Sequence, residues 1–196
     1  LLAAVVCLRS VAMPATELWR SNLLSSDVST PYRASTAILD AADDLFIGGA
    51  RLTPADTVGK IPFVAKFGKT GLKLWEYTPS ATQTNLFTVE GLATDGLGGV
   101  FAALGNAEGG VQLLRLTEDG TPIELDYASD YWLRGGEPLT AVNIAADGNG
   151  GFYLTGLRRL LAEEFPLALS RYNANGNLVW RTDLFPSFLN NYGMGH

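Results

Sequence analysis

Residues Ala145–Gly156 read AADGNGGFYLTG, and this stretch decides the fold. An Asp-Gly-Asn-Gly-Gly run follows one apolar segment and opens another. Glycine accepts positive φ, and an aspartate side chain bonds nearby backbone amides, so the run is hairpin chemistry. The Phe-Tyr-Leu that follows is β-prone. The same pattern occurs twice earlier without gaps, as ILDAADDLFIGG from Ile38 and ATDGLGGVFAAL from Ala93. Asp40, Asp95 and Asp147 anchor the three copies, at spacings of 55 and 52 residues.

A second motif follows each copy of the first: FVAKFGKTGLKLWEY from Phe63, LLRLTEDGTPIELDY from Leu113 and ALSRYNANGNLVWRT from Ala168. Gly71, Gly120 and Gly176 anchor it, with a basic residue five positions earlier at Lys66, Arg115 and Arg171. Trp75 and Trp180 stand four positions after their glycines, and Glu124 holds that place in the middle copy. Two motifs in fixed order define a repeat. The fragment around Trp19 reads as the end of the second motif, since Trp19 precedes Asp40 by 21 residues and Trp75 precedes Asp95 by 20.

Each repeat offers four β-prone runs. Val100–Leu104 and Phe152–Leu154 read as strands buried on both faces. Val111–Leu116 is a third run, and Ile123–Tyr127 alternates in polarity as a half-exposed edge strand does. The unit is a four-stranded antiparallel meander, the form of a β-propeller blade. The expected class is all-β, a propeller arc of three to four blades at about 35–77, 86–128 and 139–182. Residues 1–21 supply either the tail of a preceding blade or a signal-peptide remnant, for Leu1–Leu8 is apolar and Ser10–Ala12 offers small residues for cleavage. Leu160–Phe165 reads as a loop cap or a helical turn. At about 53 residues per repeat the chain holds about 3.7 blades, where closed propellers use 4–8. A piece of a longer propeller is the expectation.

Composition agrees and excludes several function classes. Hydrophobic residues make up 47% of the 196, enough for a sizeable core. The net charge of −6 argues against a nucleic-acid partner. Cys7 is the only cysteine and His196 the only histidine, which removes an internal disulfide and most His-based metal or triad chemistry. No apolar stretch reaches the ~20 residues of a membrane-spanning helix. The Asp-Gly turns supply one or two side-chain oxygens each, against the 6–8 that calcium takes. Asp40, Asp43 and Asp44 are the densest carboxylates, and their place on a turn reads as a solvated hairpin. No cofactor or metal is expected.

AADGNGGFYLTG (Ala145–Gly156) and ALSRYNANGNLVWRT (Ala168–Thr182) resemble the repeats of bacterial β-propeller (SBBP-type) proteins. AKFGKTGLKLW (Ala65–Trp75) is similar to the quinoprotein, or PQQ-like, repeat, with Phe67 in place of its aspartate. The resemblance covers about residues 35–183. It implies a bacterial secreted, periplasmic or cell-surface protein, with Trp19, Trp75 and Trp180 as structural packing between blades. The expected function is a non-catalytic binding or scaffold module with a protein or glycan partner. The alternative is a quinoprotein-like or carbohydrate-active propeller enzyme whose active site lies in other blades. A role in outer-membrane assembly rests on fold analogy alone. The candidate binding residues are Tyr131, Trp132 and Arg134, in the connection Ser129–Leu139 between two blades. A flat aromatic beside an arginine can stack on a sugar or grip a peptide. Trp132 can equally cover the neighbouring blade's core. Arg158 and Arg159 lie in the next long loop.

Overall fold

The alternation of apolar runs and Asp/Gly turns folds as read, into three four-stranded antiparallel sheets in chain order. The structure is a computed structural model and describes residues 31–52, 60–80, 86–106, 111–125, 139–158 and 167–183. The first sheet holds β1 (Tyr32–Leu39), β2 (Leu45–Leu52), β3 (Lys60–Phe67) and β4 (Lys73–Tyr77). The second holds β5 (Leu86–Thr94), β6 (Val100–Asn106), β7 (Val111–Leu116) and β8 (Pro122–Glu124). The third holds β9 (Leu139–Ala146), β10 (Phe152–Arg158), β11 (Leu167–Tyr172) and β12 (Leu178–Asp183). Each is a meander, and none closes on itself. No helix occurs among the described residues, and none is long and apolar enough to cross a membrane.

The boundaries differ from expectation at two places. The first sheet starts at Tyr32, three residues before the expected 35, because Tyr32–Ala34 pair with Arg51–Gly49 beyond a bulge at Ser35. The fourth strand of the middle sheet begins at Pro122 and ends at Glu124. Pro122 has no amide hydrogen to donate, which suits the start of an edge strand. Residues 126–128, the tail at 1–21 and the turn considered at Leu160–Phe165 lie outside the described residues.

The sheets stack face to face. Phe46, Val64, Val89, Leu92, Val100, Ala102, Leu104, Leu114 and Leu116 fill the space between the first and second. Phe101, Ala103, Leu113, Leu125, Phe152, Leu154 and Tyr172 fill the space between the second and third. Phe101 meets Phe152 at 4.6 Å and Phe152 stacks on Tyr172 at 5.1 Å. The central strand β6 is therefore covered on both faces, and Val100–Leu104 are all buried. That matches the unbroken apolar run in its sequence. Phe63, Ala65 and Phe67 lie on the face of the first sheet turned away from the second.

The first strands of successive sheets adjoin, β1 with β5 and β5 with β9. Among the described residues no comparable contact joins β4 to β8 or β8 to β12. The sheets are close at their first strands and apart at their fourth, as in a fan. A hydroxyl stitches the narrow side: Ser35 Oγ, at the β1 bulge, donates to the Val89 carbonyl of β5 at 2.5 Å.

Candidate functional site

The motif aspartates do one job three times. Asp95 closes the β5–β6 turn, its own N–H donating to the Gly99 carbonyl at 3.1 Å. Its Oδ1 accepts the amides of Leu97 and Gly99 at 2.7 and 2.9 Å. Asp147 does the same between β9 and β10 with Asn149 and Gly151, at 2.7 and 2.8 Å. Asp40 does so between β1 and β2 with Ala42 and Asp44, at 2.8 and 2.9 Å. One oxygen of each carboxylate thus satisfies two amides that the turn leaves without ladder partners.

The other oxygen takes the basic residue of the second motif. Arg115 donates to Asp95 Oδ2 from Nε and Nη2, at 3.0 and 2.8 Å. Arg171 repeats this with Asp147, at 3.1 and 2.7 Å. The planar fork suits one carboxylate oxygen flanked by two N–H groups. Lysine has no fork, and the first sheet solves the problem differently. Lys66 Nζ stands 3.6 Å from Asp40 and 3.1 Å from Asp44, and its side chain is 3% exposed. The expected solvated cluster of Asp40, Asp43 and Asp44 is therefore a buried ammonium held by Asp40 and Asp44, while Asp43 takes the positive-φ turn position. The hydrogen bonds from Arg171, with those of the Asn149 and Gly151 amides, hold the Asp147 carboxyl below the usual carboxylate range. Asp147 in return pushes the Arg171 guanidinium further up.

The second-motif glycines are where sheets meet. Gly120 has φ 84°, and a Cβ there would stand 2.8 Å from Cδ2 of Trp75 in the preceding sheet. The Trp75 indole N–H donates to the Glu118 carbonyl of the same turn at 2.8 Å. Lys66 Nζ reaches the second sheet as well, donating to the Gly98 carbonyl at 2.9 Å. Gly176, with φ 79°, lies against Leu125 of the second sheet in the same way, with 2.8 Å to its Cβ. Trp75 thus packs between the first and second sheets.

The middle repeat departs from its sequence alignment. Trp75 pairs with Lys66 and Trp180 with Arg171, each beside a bulge. The middle sheet has no such bulge between β7 and β8, so Ile123 faces Arg115 and Glu124 faces Leu114. Leu125, not the aligned Glu124, takes the place under the next turn's glycine. Trp180 pairs correctly but is 39% exposed, with Tyr153 6.0 Å away.

Gly71, Gly120 and Gly176 all take positive φ in the β3–β4, β7–β8 and β11–β12 turns. Those turns and the aspartate turns share one end of the sheets. The β2–β3, β6–β7 and β10–β11 connections, and the links from one sheet to the next, leave from the opposite end. Tyr131, Trp132 and Arg134 belong to the link from β8 to β9 and lie outside the described residues, as do Trp19 and Arg159. Among the described residues, no three His, Cys, Asp or Glu converge as a metal site.

No family model matches the chain, and no curated protein matches it.

Proposed function

We propose that the three sheets are consecutive blades of a β-propeller arc, akin to the bacterial repeats named above, and that it is an exported, non-catalytic scaffold. The arc offers the connections at the end opposite the aspartate turns to a protein or glycan partner, with Tyr131, Trp132 and Arg134 as the contact group. The observation that carries this reading is where the charged groups of the repeat stand. Asp40, Asp95, Asp147, Lys66, Arg115 and Arg171 are all engaged in turn closure and cross-strand ion pairs. They stiffen the frame and leave recognition to the loops it spaces apart, a usual division of labour. The fan of first strands supports the arc.

The test is binding of the full chain to an array of bacterial cell-wall glycans and extended peptides, with Trp132→Ala alongside. The reading expects one ligand class to bind and Trp132→Ala to weaken it about tenfold or more, a loss of about 1.4 kcal/mol. The urea midpoint stays unchanged. Equal binding by Trp132→Ala and Arg134→Ala, or a lowered midpoint with no ligand bound, rejects it.

A further inference from the structure

Two Asn-Gly steps stand in the chain, Asn149-Gly150 in the β9–β10 turn and Asn175-Gly176 in the β11–β12 turn. Asparagine is thermolabile because the amide nitrogen of the next residue can attack its side-chain Cγ, and a following glycine has no Cβ to obstruct the approach. The two steps share most of their surroundings. Both asparagines are exposed. Each donates its own N–H to a side-chain oxygen two residues earlier, Asn149 to Asp147 at 2.7 Å and Asn175 to Asn173 at 3.0 Å. Both glycines take positive φ, 84° at Gly150 and 79° at Gly176.

The glycines differ in what holds them. The Gly176 N–H donates to the Asn173 carbonyl at 3.0 Å, and the residue is buried against Leu125. That hydrogen bond must break before the nitrogen can attack. Among the described residues no acceptor takes the Gly150 N–H. Asp147 Oδ1 takes the Asn149 and Gly151 amides on either side of it. A Cβ at Gly150 would meet only Ala174, at 3.9 Å.

We propose that Asn149 is a site of spontaneous deamidation in the folded chain and that Asn175 is shielded from it. The Gly150 nitrogen loses its proton to solvent base and bonds to Asn149 Cγ. The side-chain nitrogen takes up a proton and leaves as ammonia. The resulting succinimide adds one water. Breaking its N–Cγ bond gives aspartate, and breaking its bond from nitrogen to the main-chain carbonyl carbon gives isoaspartate, with one more atom in the main chain. No oxidant, reductant or cofactor is consumed. Isoaspartate disables the clamp of this turn. The Asn149 and Gly151 amides both reach Asp147 Oδ1, and an extra main-chain atom between them puts them out of step with that one oxygen. Either product also sets a second carboxylate near Asp147, whose Oδ2 holds Arg171. The second sheet builds the same clamp with Leu97-Gly98, so the chemistry is confined to the third repeat's copy of this turn.

The full chain is incubated at mildly alkaline pH in heavy-oxygen water, beside a sample unfolded in guanidinium, and both are digested and mapped by mass spectrometry. Uptake of the heavy oxygen at each asparagine is the readout. The expected result is uptake severalfold faster at Asn149 than at Asn175 in the folded chain. The gap closes in the unfolded sample, where neither glycine is held. Asn149→Leu, which copies the second sheet's turn, loses the label of that turn. The isoaspartate form, separated by chromatography, unfolds at lower urea than Asn149→Asp, which carries the charge without the extra atom. Equal uptake at the two positions in the folded chain, faster uptake at Asn175, or uptake at neither while the unfolded chain reacts at both, overturns the proposal. Label that persists in the turn of Asn149→Leu also overturns it. An isoaspartate form as stable as Asn149→Asp overturns the effect on the clamp.

Discussion

Replacing Asp95 by alanine removes both halves of one clamp, and its cost can be worked from the contacts. The side chain is 1% exposed and that of Arg115 is 20% exposed. Leaving a buried charge without its partner costs about 3–5 kcal/mol. Water reaches Arg115 in part, which places this contribution near the low end, about 3 kcal/mol. The buried Gly99 amide also loses its acceptor, adding about 1 kcal/mol. Asp95→Ala should therefore destabilise by about 4 kcal/mol, and with a urea slope of about 2 kcal/mol per molar the midpoint falls by about 2 M. Asp95→Asn keeps an oxygen for the two amides but sets an amide NH2 donor against the Arg115 N–H groups, so it should recover only the contribution of the Gly99 amide, about 1 kcal/mol. Adding Arg115→Met to Asp95→Ala removes the stranded charge and should recover at least about 1 kcal/mol. The assay is equilibrium urea unfolding of the full chain at neutral pH, followed by circular dichroism. A midpoint shift under about 0.5 M for Asp95→Ala, or no recovery in the double variant, refutes the reasoning.

Three other outcomes follow from the contacts described above. Trp75→Ala should cost about 3 kcal/mol in the same assay, through the ring lost from Phe46 and Gly120. Trp180→Ala should stay within about 1 kcal/mol, since its ring is not enclosed. Asp147 titrates below 3.8, the ordinary aspartate value, so its contribution is complete above that pH and is lost as pH falls through the lower, folded value. Carboxyl NMR should place its midpoint below 3.8 in the parent and nearer 3.8 in Arg171→Met, where the largest cause of the depression is gone.

The parts of the fold that are legible in the sequence are the local ones. The Asp-x-x-x-Gly turns and the unbroken run Val100–Leu104 state their conformation in a few adjacent residues. What stayed hidden are the contacts across sequence distance. The Asp–basic pairing joins residues 20 to 26 apart, and it had a readable signal. Where the basic residue is arginine, the fourth position after the aspartate is glycine (Gly99, Gly151). Where it is Lys66, that position is Asp44, the second carboxylate an ammonium needs. The exchange of Glu124 for Leu125 had no such signal, because it depends on whether a bulge forms between two strands. The exposure of Trp180 likewise depends on what lies over the third sheet. Sequence chemistry on one strand does not state it.

Successive sheets lock by a turn glycine lying on a side chain in, or just past, the last strand of the sheet before: Trp75 under Gly120 and Leu125 under Gly176. The most direct measurement is the proton NMR spectrum of the full chain at Gly120. An α-proton lying over the Trp75 indole is shifted upfield by the ring current and shows a cross-relaxation peak to the ring protons. The account predicts both, and predicts that Trp75→Leu abolishes the shift. A Gly120 α-proton at the ordinary glycine position, with no peak to the indole, contradicts it.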